Sequence, residues 1–289
     1  MKTKASVFGS GAAALASARA AAFVLLVLAA GVQPIAFGAS GPEEPAKGGK
    51  LKVFLLIGNS NMRGLAHSAE LPEELRRPQT NVLFNVGGKW TSLEPGGPSF
   101  GPEITFGRAM AKALRGERIA VVKFAIGGTS LFAWDRDWTA DLARKTGNEK
   151  SGPLYEQLTE RVADALKGRD AEIVGVFWMG CGRDCRYRES AELFERNFSA
   201  LIRNLRKEWG APDLPFIYGR DSLPPGRFKH VDIIRKAEEK IAKTVPHTEM
   251  VDTDDLTKLK DRVHFAVKAT MTLGDRFAEA YLKMRPVRD

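Results

Sequence analysis

Ser60 stands in Gly58-Asn-Ser-Asn-Met62, directly after the apolar run Leu51-Lys-Val-Phe-Leu-Leu-Ile57. A serine at a tight strand-to-helix turn can present its hydroxyl at a sheet edge, and Gly58 permits the close turn. Serine is a weak nucleophile until a base takes its proton; taken alone, Ser60 reads as a helix cap before it reads as a nucleophile. The base is supplied near the other end of the chain. In Asp261-Arg-Val-His264, carboxylate and imidazole share one loop between the last expected strand and the last expected helix. That spacing lets the carboxylate hold the ring's Nδ1–H while Nε2 faces a serine. His67, His230 and His247 complete the histidines, and none has this setting. Nucleophile, base and orienting acid together point to acyl transfer.

These residues need a scaffold that brings distant segments to one edge. Five apolar runs read as strands buried on both faces: 51–57, 119–125, 173–179, 214–218 and 248–252. Helical patterns fall between them at 104–115, 154–168, 190–209, 229–244 and 267–284. Strands alternating with helices imply a parallel sheet of about five strands with helices on both faces, and ligands in such folds bind beyond the carboxyl ends of the strands. The Gly- and Pro-rich stretch 81–101 reads as a long loop or small hairpin beside the site.

The segment 1–39 reads as a secretory signal, with Lys2, Lys4 and Arg19 before a short apolar stretch and small residues at Ala36-Phe-Gly-Ala39. An uncleaved anchor is the alternative. Gly41–Gly49 lies in a linker over 40–49, leaving 50–285 as a single domain. Export to the periplasm, cell surface or medium is expected, with no stable membrane insertion after cleavage. Without residues 1–39 the formal charge of +9 falls to +6, spread along the chain. No basic stripe with base-reading elements is visible, so nucleic acid is not an expected partner. Cys181 and Cys185 permit a disulfide in an exported protein. With no histidine near them in sequence and too few ligands, no metal is expected there.

The pentapeptide at Ser60 is not a Gly-x-Ser-x-Gly elbow, because Met62 replaces the second glycine. It resembles the Gly-Gln-Ser-Asn-Met block of the SGNH hydrolases, in the sialate O-acetylesterase-like branch that includes carbohydrate esterase family six. Further blocks follow in that family's order: Gly101-Pro-Glu-Ile-Thr-Phe-Gly-Arg108, Ala125-Ile-Gly-Gly-Thr-Ser-Leu131 with Trp134, Val176-Phe-Trp-Met179 and Asp261-Arg-Val-His-Phe265. The resemblance implies a flavodoxin-like three-layer α/β/α sandwich that removes acetyl groups from carbohydrates without metal or organic cofactor. It implies Ser60 as nucleophile, His264 as base and Asp261 as its orienter. Ser60 N–H and a glycine N–H, from Gly128 or alternatively Gly127, would form the oxyanion hole. Asn59, Asn61 and Trp134 are the expected substrate contacts, and Phe124, Leu131, Phe132 and Trp134 could line an acyl pocket. Glu103 is expected to shape the loop entering its helix.

Two positions depart from the family. Asn59 replaces Gln, and Trp-x-Gln-Gly-Glu-Ser-Asp becomes Trp178-Met-Gly-Cys-Gly-Arg-Asp184. Gly180 and Gly182 therefore stand where Gln and Glu are usual. Loss of one oxyanion donor costs about 10²–10³ in turnover. A backbone N–H of 180–182, pinned by a Cys181–Cys185 bridge, could replace it; Arg183 could reach in as a cationic donor; or the protein has become an impaired, glycan-binding relative. A lipid or thioester hydrolase of the wider SGNH group is a further reading.

Overall fold

Leu51–Gly58 is apolar on both sides because both sides are covered. Leu51, Val53, Leu55 and Ile57 pack into one core, and Phe54 and Leu56 into a second. Alternate side chains of a strand point to opposite faces, so two buried faces require a layer of helices on each. The computed structural model describes residues 49–285; the expected signal segment 1–39 and all but the last residue of the linker lie outside them.

In chain order the elements are β1 (Leu51–Gly58), α1 (Ser60–Arg63), β2 (Ala66–His67), α2 (Glu73–Arg76), β3 (Gln79–Val86), β4 (Lys89–Leu93), β5 (Ser99–Phe100) and α3 (Glu103–Ala113). There follow β6 (Ile119–Ala125), α4 (Ala140–Arg144), α5 (Leu154–Leu166), β7 (Ala171–Met179), α6 (Arg188–Glu192), α7 (Phe194–Glu208), β8 (Phe216–Gly219), α8 (Val231–Thr244), β9 (Thr248–Val251) and α9 (Val267–Met284). The main sheet has seven strands in the order β4-β3-β6-β1-β7-β8-β9. Every neighbouring pair is parallel except β3 with β4. Helices α5, α7 and α8 cover one face, around Phe198, Leu158 and Ile234. Helices α3 and α9 cover the other, where Phe106, Phe177 and Phe277 pack ring against ring. This is a three-layer α/β/α fold.

The five expected strands are all present, at the centre and one wing of the sheet. The stretch read as a loop or small hairpin is a hairpin that extends the sheet. Its first strand, β3, pairs in parallel with β6. Gly87 and Gly88 make its turn with φ of +62° and +83°, left-handed values typical of two-residue hairpin loops. The sheet is therefore mixed and wider than expected. The helical stripe over 190–209 is divided at Leu193 into α6 and α7.

Strand order brings the ends of β1, β6, β7, β8 and β9 to one edge of the sheet, and the loops that follow them form a single cleft. Among the described residues no helix is long and apolar enough to cross a membrane.

Candidate active site

The turn carrying Ser60 is clamped by its neighbours. Asn59 N–H donates to the Met179 carbonyl and Ile126 N–H to the Gly58 carbonyl, at 2.8 and 2.9 Å. Gly58 has φ +130°, and a Cβ there would lie 2.5 Å from Met179 O. Only glycine fits where β1 and β7 approach so closely. Ser60 then opens α1.

Ser60 Oγ lies 2.9 Å from His264 Nε2, and His264 Nδ1 lies 2.5 Å from Asp261 Oδ2. Asp261 Oδ1 also accepts the N–H groups of Val263 and His264, at 2.9 and 3.0 Å. Partial burial works against the ionised carboxylate, but these two N–H groups and the imidazole outweigh it and hold Asp261 down to about 2. The loop is fixed at its base, with Leu259 N–H on the His264 carbonyl and Ala266 N–H on the Thr257 carbonyl. Arg262 sits at φ +60° in its tight turn. The fold thus joins Ser60 to His264, 204 positions further along the chain, and to Asp261 beside it, in the geometry of a proton relay.

Asn61 and Asn59 line the cleft, yet their amides are used inside the protein. Asn61 Nδ2 donates to the Val263 carbonyl and Asn61 Oδ1 accepts Phe265 N–H, both at 3.2 Å. Asn61 therefore splices the serine helix to the histidine loop. Asn59 Nδ2 donates to the Thr129 carbonyl at 2.8 Å, and Thr129 Oγ1 donates to Asn59 Oδ1 at 2.6 Å. That pair splices the serine turn to the glycine turn after β6. Trp134 departs from its expected role. It is 1% exposed and stacks edge-on against Trp178 and Phe124, with ring centroids 5.1 and 5.7 Å away. Leu131 and Phe132 are buried with it. This apolar turn is core beneath the glycines, not the wall of an acyl pocket.

Gly127 and Gly128 are exposed at the cleft, and a Cβ on Gly127 would lie 3.3 Å from Ser60 Cβ. Gly128 has φ +73°, and its carbonyl accepts Arg183 Nε at 2.8 Å and Asn148 Nδ2 at 3.1 Å. Among the described residues, the N–H groups of Ser60, Gly127 and Gly128 donate to no protein acceptor. They are free to receive an oxyanion.

Gly180 shows why the altered loop carries no Gln. Its φ is +129°, and a Cβ would lie 2.5 Å from Asn59 Cβ. Asp184 is buried and anchors this loop, accepting Leu131 N–H at 3.0 Å and the Ser190 hydroxyl at 2.5 Å. Burial pushes its carboxyl up to about 7, against the pull of those donors. Cys181 and Cys185 are free thiols, so no bridge pins the loop. Glu103 shapes its loop, accepting Gly101 N–H at 3.0 Å and pairing with buried Lys123 at 2.7 Å, whose ammonium also caps the Arg63 carbonyl.

The cleft encloses about 370 Å³. Sequence reasoning placed Arg183 at the site and missed the rest of the arginine wall. Arg63, Arg183, Arg186 and Arg227 all line it, and among the described residues none has a carboxylate partner. Arg186 and Arg227 lie over Phe228, 5.4 and 5.5 Å from its ring centre. Burial and the like charges of Arg227 and Arg183 lower the Arg186 guanidinium below its usual value. Arg227-Phe228 lies in a Pro-rich connection with no periodic signal. A larger hollow of about 550 Å³ around Pro212 and Pro215 opens by the strand starts Lys52 and Ile173, and it contains no nucleophile–base pair.

Known proteins resemble this chain over most of the described residues. The sequence profile of the family described as "Carbohydrate esterase, sialic acid-specific acetylesterase" matches residues 50–283. A "probable carbohydrate esterase" of Arabidopsis thaliana is 28% identical over 254 residues, covering 80% of this chain and 90% of its own. A crystal structure of an Arabidopsis thaliana protein superposes with TM-score 0.68 at 23% identity, over 81% of this chain and 99% of that one. A carbohydrate acetylesterase from Xanthomonas citri gives TM-score 0.64 at 21% identity, over 81% and 56%. The matched span carries β1 through α9 and every residue of the relay, and the chain belongs to the sialic acid-specific acetylesterase family of carbohydrate esterases.

Proposed function

We propose that this protein is an exported serine esterase that removes O-acetyl groups from carbohydrate through an acyl-enzyme. The observation that carries the reading is the Ser60–His264–Asp261 relay facing three unengaged N–H groups. In this reading His264 Nε2 takes the Ser60 proton as Oγ attacks the acetyl carbonyl. The developing oxyanion is received by Ser60 N–H and the Gly127–Gly128 turn, donors already in place before charge forms. The protonated imidazole, held by Asp261, gives its proton to the departing sugar oxygen. A water deprotonated at the same Nε2 then releases acetate from Ser60. Arg183 acts by fixing the Gly128 carbonyl, so the hole is built from backbone and the missing Gln is not needed.

The four unpaired arginines favour an acidic sugar as the ester's carrier. Guanidinium offers fixed donors matched to a carboxylate, whereas a neutral xylan chain offers it only hydroxyl and ether oxygens. Export rests on the composition of residues 1–39.

The test is acetate release from acetylated, carboxylate-bearing oligosaccharides and from acetylated xylo-oligosaccharides. Replacing Arg186 and Arg227 by Ala should raise KM for the acidic substrates and leave the neutral ones unchanged. Equal effects on both would remove the acidic-sugar reading. Release at the buffer rate on all substrates would leave a glycan-binding protein.

A further inference from the structure

Beneath the 180–185 loop lies a cluster that the relay does not use. Asp221, at the end of β8, and Glu238, on α8, are 1% and 2% exposed. Asp221 Oδ2 and Glu238 Oε2 have no hydrogen-bond partner. A carboxylate oxygen of each and Cys181 Sγ all lie within 4.8 Å of one another. Cys185 Sγ is 3.3 Å from Cys181 Sγ. One thiol and two carboxyls thus converge from three separate segments, with the second thiol beside the first.

Their supports are already fixed. Cys185 N–H donates to the Cys181 carbonyl at 3.1 Å, and His230 N–H to the Cys185 carbonyl at 3.0 Å. Arg235 donates to the Asp221 carbonyl at 3.0 Å, and the Tyr218 hydroxyl to the Glu238 carbonyl at 2.5 Å. Lys258 and Arg235 favour the ionised form of Asp221 by their charge, without hydrogen bonding its unpartnered oxygen. Arg235 is bound bidentately to Asp254. Buried Lys258 Nζ has no hydrogen-bond partner and sits over the Phe265 ring at 3.5 Å. Asp184 has its oxygens engaged by Leu131 N–H and Ser190.

A buried carboxyl oxygen with no hydrogen-bond partner is costly, and Asp221 and Glu238 each hold one. A shared proton would join one pair of oxygens, whereas a divalent cation takes Cys181 and both carboxylates together. Tetrahedral Zn²⁺ with sulfur at about 2.3 Å and oxygen at about 2.0 Å needs ligand-to-ligand edges of roughly 3.3–3.8 Å. The three donor atoms already lie within 4.8 Å of one another, so small side-chain shifts reach that geometry. We propose that Cys181, Asp221 and Glu238 form a structural site for a divalent cation of the Zn²⁺ type, tying the altered loop to β8 and α8. Two of the three donors come from far along the chain, which the sequence neighbourhood of the cysteines does not show. Binding would release the Cys181 thiol proton, so affinity rises with pH.

The full chain, purified without chelator, is dialysed against micromolar Zn²⁺ and its metal content measured. The expected result is about one Zn²⁺ per chain, lost in Cys181→Ser and in Glu238→Gln while circular dichroism remains that of the folded protein. Co²⁺ loaded into the wild-type chain should give an intense sulfur-to-metal absorption band, which needs no variant. Three results would overturn the proposal: no Zn²⁺ bound by a chain whose thiols are both free, thiols that cannot be titrated after unfolding because they form a disulfide, or Zn²⁺ binding that survives both substitutions.

Discussion

Restoring the family's usual residue at position 180 should damage this protein. In Gly180→Gln the new Cβ would lie 2.5 Å from Asn59 Cβ, with Asn59 Cγ and Nδ2 at 3.0 and 3.1 Å. Asn59 cannot swing aside, because its amide is held on both sides by Thr129. The φ of +129° adds backbone strain for any residue with a Cβ, about 1–3 kcal/mol. Overpacking adds about 1–3 kcal/mol more. The sum, about 2–6 kcal/mol, is a large share of the roughly 5–15 kcal/mol that holds a typical domain folded. At about 2–4 °C per kcal/mol for a domain of this size, Tm should fall by roughly 10 °C. Relief of the clash would move Asn59 and with it Ser60, and a shift of about 1 Å at a reacting group costs about 10²-fold in rate. Thermal melting followed by circular dichroism, and turnover of p-nitrophenyl acetate, read both effects. An unchanged Tm with raised turnover would refute the argument, and would mean that the hole lacks a side-chain donor which glutamine restores.

Asn61→Ala breaks the splice between α1 and the histidine loop and leaves buried Phe265 N–H unpaired, costing about 1–3 kcal/mol of stability. It should lower kcat about 10–100-fold through misplacement of His264 with little change in KM; a raised KM at constant kcat would instead make Asn61 a substrate contact. Asp261 is held at about 2, below its ordinary 3.8, so between these values the unfolded chain binds the proton more readily. The stability Asp261 contributes is therefore present above about pH 4 and lost as pH falls towards about 2. Urea unfolding of wild type and Asp261→Asn should differ at pH 5 and converge towards pH 2, and a constant gap would contradict this.

The sequence made the scaffold legible wherever a strand is buried on both faces. The runs now seen as β1, β6, β7, β8 and β9 carry their own signal, since continuous apolarity needs no partner to be read. The hairpin β3–β4 was obscured by its Gly- and Pro-rich surroundings and by Asn85, a polar residue at 0% exposure within β3. Ser60, His264 and Asp261 were found because a nucleophile, a base and an acid keep a recognisable local spacing. Asn59 and Asn61 were placed at the site but misread in role, since only the fold shows that their amides face Thr129, Val263 and Phe265. Trp134 was misread for the same reason: an aromatic beside a glycine turn can face either cleft or core. The arginine wall and the Cys181–Asp221–Glu238 cluster depend on contacts between distant loops, which no local pattern records.

The most direct test of the account is to trap the covalent intermediate. Mixing the protein with an activated acetyl ester and quenching in acid should yield one acetyl group on the peptide that contains Ser60. Ser60→Ala should carry none and release acetate at the buffer rate. An acetyl group on another residue, or Ser60→Ala turning over at the wild-type rate, would contradict the assignment of Ser60 as nucleophile.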